Sequence, residues 1–82
     1  MHLFAAYLGG PVAPGRMGED HEIVFVVAAD DVDAKKQAAA KWSGVGRGHV
    51  DAVRRIDRID GHQVLLSPAP AEGDHTELHG YN

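Results

Sequence analysis

Residues 21–42, HEIVFVVAADDVDAKKQAAAKW, change their hydrophobic period once, at Asp30 and Asp31. Before that pair, Ile23, Phe25 and Val27 alternate with Val24, Val26 and Ala28. A period of two with β-branched and aromatic side chains on both faces predicts an interior strand. After the pair, residues 34–42 contain no glycine, proline or β-branched residue. Asp30 and Asp31 offer N-cap oxygens and Asp33 adds a first-turn negative charge, so a helix is expected here. Ala34, Ala38 and Trp42 fall on one stripe, with Val32 and Ala39 at its edge. Such a shallow alanine face lets a helix approach a sheet closely, anchored by one tryptophan. Ser43, Gly44, Gly46 and Gly48 stop it.

Upstream, residues 1–8 alternate Leu3, Ala5 and Tyr7 with Phe4, Ala6 and Leu8, a second strand that is apolar on both faces. Gly9, Gly10, Pro11, Pro14, Gly15 and Gly18 then predict a loop to about Asp20. Downstream, Val50, Val53, Ile56 and Ile59 recur every three positions, a spacing that suits neither a regular strand nor a helix. A bulged strand over 50–59 reconciles it, because Asp60-Gly61 is the two-residue chemistry of a type I′ hairpin and residues 62–66 read as its returning strand. Pro68 and Pro70 end that strand. The order strand, strand, helix, strand, strand predicts an α+β domain over residues 1–67, a sheet of about four strands with one helix on one face. Residues 68–82 form a polar tail with Leu78 and Tyr81 as its large apolar residues, expected to be mobile.

With 82 residues, 44% hydrophobic and 24% charged, the chain has the composition of one small globular domain. The absence of cysteine excludes disulfides, thiolate metal sites and cysteine nucleophiles. No apolar run approaches the roughly 18 residues of a membrane span, and residues 1–8 are too short and too poor in positive charge for a secretory leader, so a cytoplasmic protein is expected. The net charge of −4 is unevenly spread: residues 35–58 hold seven bases against Asp51 and Asp57. Trp42 is the one aromatic residue of that block and the pI is 5.8, so nucleic acid is not an expected partner.

One helix covers one face of a sheet, yet the first two strands carry large apolar side chains on both. At roughly 25 cal/mol per Å² of apolar surface, an uncovered face forfeits several kcal/mol. A second copy of the chain is the first expectation for what covers it, since small soluble oligomers are mostly twofold pairs. The glycine loop and the tail are the other candidates.

The pieces Tyr7-Leu8-Gly9-Gly10, Glu19-Asp20-His21-Glu22 leading into Phe25-Val26-Val27, Ala40-Lys41-Trp42, His49-Val50-Asp51 and Asp60-Gly61, in this order and spacing, resemble an uncharacterised bacterial family, domain of unknown function 1543. The resemblance spans residues 3–66. It implies a small bacterial cytoplasmic protein of unassigned activity.

No catalytic motif stands out. Ser43 and Ser67 lack the Gly-x-Ser-x-Gly surround of a nucleophile elbow, and the loop beginning at Gly9 and Gly10 opens into neither a helix nor a Gly-Lys-Ser or Gly-Lys-Thr step. His21 between Asp20 and Glu22 opens the second strand, and His49 precedes Asp51 at the opening of the third. If the helix joins these strands as a parallel crossover, their starting ends share one edge of the sheet and the groups converge. A histidine oriented by a carboxylate is the minimum for acid-base work, and Arg16 in the loop is placed to neutralise an anion. The candidate binding residues are therefore Gly9, Gly10, Arg16, His21, Glu22, Trp42, His49 and Asp51. Solvated strand ends and a core tryptophan are the simpler reading of the same residues. His75 and His79 stand four apart around Glu77, but glycines flank them in a polar segment, and neither a metal nor another cofactor is expected. The leading expectation is a homodimeric binding or assembly module. A small-molecule, anion-binding or enzymatic site at Arg16, His21, Glu22, His49 and Asp51 is the alternative.

Overall fold

Asp30 is the hinge between strand and helix. Its backbone is extended, and its carboxylate accepts a hydrogen bond from the Asp33 amide at 2.8 Å, capping a helix, α1, that spans Asp31–Ala40. In the computed structural model, residues 1–11, 18, 20–46, 48–69 and 73–80 are described. The strands are β1 (His2–Gly10), β2 (Asp20–Ala28), β3 (His49–Ile56), β4 (Arg58–Ile59) and β5 (His62–Gln63).

β1 is central in a three-stranded sheet of order β2-β1-β3 and runs antiparallel to both neighbours. β2 and β3 are therefore parallel to each other, joined through α1 as a crossover that spans β1. The core lies between this sheet and α1. Phe4, Ala6 and Leu8 of β1, Val26 and Ala28 of β2, Ala34 and Ala38 of α1, and Trp42 are buried together, with Val24, Val50 and Val53 packed at the margin. Trp42 lies just past the helix, which Lys41 closes. Its ring is held where side chains are absent: a Cβ at Gly10, Gly44 or Gly48 comes within 3.1, 2.5 or 2.9 Å of the indole. The indole Nε1 donates to the Pro11 carbonyl at 3.1 Å.

The three-residue spacing in β3 has a structural cause. Pairing with β1 slips between Tyr7↔Ala52 and Leu8↔Val50, which leaves Asp51 as an extra residue. The bulge lets Val50 and Val53, three apart, both face the helix. The hairpin turn is type I′, with positive φ at Asp60 (51°) and Gly61 (75°).

The sheet differs from the expected four strands. β3 stops at Ile56 because its partner there is Leu3, almost at the start of β1, so the chain beyond has no strand left to pair with. β4 and β5 pair only with each other, at Arg58↔Gln63 and Ile59↔His62, and the return strand expected over 62–66 is two residues long. Gly9 and Gly10 also lie within β1, not in a loop, because Gly9 pairs with both His21 and His49 and Gly10 pairs with Asp20. The rest of the expected loop, apart from Pro11, Gly18 and Asp20, lies outside the described residues.

The sheet face away from α1 is arranged in four cross-strand rows: His21–Gly9–His49, Ile23–Tyr7–Ala52, Phe25–Ala5–Arg54 and Val27–Leu3–Ile56. Ile23, Phe25, Val27 and Tyr7 are exposed there. The outer edge of β2 is partly closed instead. Lys41 Nζ donates to the Phe25 carbonyl at 2.7 Å and to the Asp74 carboxylate at 3.0 Å, a charged cover typical of managed sheet edges.

Candidate functional site

The first of those rows, together with Asp51 from the bulge, gathers three side chains with titratable chemistry. His21 on β2 and His49 on β3 flank Gly9, whose missing side chain leaves the space they lean into. A Cβ at Gly9 comes within 2.8 Å of His49 Nε2 and 3.0 Å of His21 Nδ1. The bulge turns Asp51 to the same face, where its carboxylate lies 3.3 Å from His49 Nε2 and 3.9 Å from His21 Nδ1. A regular strand sends residue 51 to the same side as 49 and 53, and Val53 to the open face; the extra residue keeps Val53 in the core while His49, Asp51 and Ala52 all face outward. The result is a carboxylate between two imidazoles over a glycine floor. The side chains of His21, His49 and Asp51 are 70%, 54% and 49% exposed, so the group is open to solvent. Chemically it holds imidazole nitrogens beside a carboxylate.

The other candidate residues have different positions. Glu22 points to the helix side, where its carboxylate accepts from the Ser43 amide at 2.9 Å and from the Ser43 hydroxyl at 2.8 Å, fastening the chain after α1 to β2. Gly10 and Trp42 belong to the packed indole nest. Arg16 lies outside the described residues.

Among the described residues, no group of three or more His, Asp or Glu side chains of one copy stands ready to hold a metal ion. Glu77 lies 3.7 Å from His75 and 3.3 Å from His79, all three strongly exposed. Away from the histidine row, a groove of about 930 Å³ at the outer edge of β2 lies between residues 73–78, Gln37 and Lys41 and the strand itself, and Leu3, Ile23, Phe25 and Val27 of the open face help to line it. The Asp57 carboxyl, beyond β3, is held below the ordinary aspartate value, first by its hydrogen bond from Arg55; desolvation opposes this, and the charges of Arg55 and His2 with a hydrogen bond from His2 add to the lowering.

Two features of the site escape a reading of the residues alone. One is Gly9 as its floor, legible only once the register sets Gly9 between the histidines. The other is Arg54, which shares the open face. The spacing of Val50 and Val53 was the signal for the bulge that brings Asp51 across.

Among the described residues, no helix is long and apolar enough to cross a membrane. No curated protein and no solved structure matches the chain. The model of one family, Domain of Unknown Function (DUF1543), matches residues 16–66, which take in β2, α1, β3 and the β4–β5 hairpin. With more than half of its length matched, the chain belongs to the DUF1543 family.

Proposed function

We propose that the protein is a self-associating binding module in which two copies close over each other's open sheet faces. The observation that carries this reading is the exposure of Ile23 (57%), Phe25 (48%), Val27 (40%) and Tyr7 (37%) side by side on the face that α1 does not cover. Contiguous apolar surface of this kind marks an interaction site more often than it marks a free monomer.

The pattern of the rows favours a second copy as the occupant. A twofold axis along β1 sets β2 of each copy over β3 of the other. Bulky Ile23 then meets small Ala52, Phe25 meets the Arg54 guanidinium, and Val27 meets Ile56. The first pair sets a large side chain against a small one, the last joins two apolar ones, and the Arg54 cation falls on an aromatic face. A bacterial, cytoplasmic setting belongs to the same proposal.

Sedimentation equilibrium at micromolar concentration tests it. The expected result is a dimer that Phe25→Lys and Ile23→Lys convert to a monomer with unchanged far-UV circular dichroism. A wild-type monomer overturns the reading.

A ligand-binding or enzymatic site is the second reading, favoured by the convergence of His21, His49 and Asp51 over Gly9. Saturable thermal stabilisation by a small anion, lost in His49→Ala, is its expected signature.

A further inference from the structure

The histidine row lies on the face through which the two copies are proposed to meet, so the same contact bears on what that row binds. Within one copy, His49 Nε2 and the Asp51 carboxylate are 3.3 Å apart. That matches the separation of about 3.4 Å between neighbouring donors of a tetrahedral zinc ion with bonds near 2.1 Å. His21 of the same copy reaches Asp51 only at 3.9 Å, and among the described residues one copy alone assembles no metal-holding trio. What one copy provides is a two-donor half-site and, on the other side of Gly9, an exposed imidazole.

The twofold arrangement along β1 brings these pieces together, because it sets β2 of one copy over β3 of the other. We propose that each half-site binds a divalent transition-metal ion through His49 and Asp51 of one copy and His21 of the partner subunit. The donor set, two imidazoles and one carboxylate with no thiolate, suits zinc and nickel better than magnesium or calcium, which take oxygen donors. Gly9 matters because any side chain there occupies the space into which the rings lean. The position of Asp51 on a bulge is explained at the same time: the extra residue sends a carboxylate to the open face without taking Val50 or Val53 out of the core. This inference rests on the self-association reading for its geometry, and two symmetric sites per dimer follow from it.

The test uses the full chain carrying His75→Ala and His79→Ala, which silences the tail histidines, with zinc chloride as the probe. Sedimentation equilibrium is run in EDTA and then in zinc, alongside calorimetric titration. The expected result is one zinc per chain, a dimer at least about tenfold tighter in zinc, and loss of that zinc in His21→Ala or His49→Ala alone, each weakening binding by about tenfold or more. Mixing the His21→Ala and His49→Ala chains restores one site per mixed dimer, because each supplies what the other lacks. Absence of zinc binding, binding that survives His21→Ala, or a mixture that restores nothing overturns the shared site and leaves a dimer in EDTA standing. A monomer in EDTA that zinc converts to a dimer, with restoration by mixing, supports the site and overturns metal-independent self-association. A monomer in both conditions overturns both.

Discussion

His21 and His49 face each other across Gly9, in a cross-strand row whose central position has no side chain. The pairing register decides this, since β2 and β3 both start beside the end of β1. Any Cβ on Gly9 meets the far ends of two exposed rings, which swing aside at little cost, and not a backbone atom. Gly9→Ala is therefore expected to leave stability nearly unchanged: alanine in a strand interior gains about 0.5–1 kcal/mol over glycine, which offsets the displaced rings. The imidazole resonances of His21 and His49 shift nonetheless, because the group they form with Asp51 is pushed open. Urea unfolding read beside histidine NMR checks both halves, and a large fall in the urea midpoint means that the rings are fixed more rigidly than their exposure implies.

Gly44 presents the opposite case. A Cβ there comes within 2.2 Å of the Pro11 carbonyl oxygen and 2.5 Å of Trp42 Nε1, and that same oxygen accepts from Trp42 Nε1 and from the Val45 amide. The first obstacle is backbone, which does not swing away. Gly44→Ala is expected to lose about 1–3 kcal/mol through overpacking, and Trp42→Ala about 3–5 kcal/mol through the cavity it leaves. Gly80→Ala, with nothing near its Cβ, changes stability by less than about 0.5 kcal/mol. Chemical denaturation of the three variants gives the ranking, and equal effects at Gly44 and Gly80 contradict the indole nest.

The helix, its Asp30 cap, the first two strands and the type I′ turn were legible in the sequence because each is specified locally, by period, capping oxygen or turn residues. The number of strands in the sheet was not, since it depends on where β1 runs out of partners: Ile56 already pairs with Leu3, and nothing near residue 58 or 62 announces that. For the site, the approach of His21, His49 and Asp51 followed from the crossover, which a period of two, a helix and a further strand imply. Glu22 does not join them, because its alternation with His21 turns it to the helix side, where Ser43 takes it. The glycines at 9 and 10 read as loop formers because composition alone does not distinguish a flexible glycine from one required by close approach.

Deleting Asp51 restores a strict period of two in β3, with Val50 and Val53 still on the helix side. The shortened strand is expected to fold with the same helix content, since the buried residues keep their partners. His49 and His21 lose the Asp51 carboxylate from beside them. Far-UV circular dichroism and a two-dimensional amide spectrum report the fold. A chain that no longer folds means that the bulge is needed for the twist of the sheet as well as for the placement of Asp51.

Asp57 offers a pH-dependent check at the far end of the sheet from the histidine row. Arg55 Nε lies 3.0 and 2.7 Å from its two carboxylate oxygens, and His2 Nδ1 lies 3.5 Å from one of them. The hydrogen bond from Arg55 is the chief reason that the folded carboxyl titrates below its ordinary value. A depressed carboxyl pKa stabilises the fold above the ordinary aspartate range, and that contribution is lost as the pH falls through the folded value. The pair is open to solvent, so the effect on stability is slight and the titration itself is the better readout. Carbon-detected NMR is expected to show the Asp57 midpoint below the ordinary value, rising in Arg55→Met and rising in part in 1 M salt, where the Debye length falls to about 3 Å. A midpoint that ignores the loss of Arg55 assigns the shift to some other neighbour and removes the hydrogen bond as its cause.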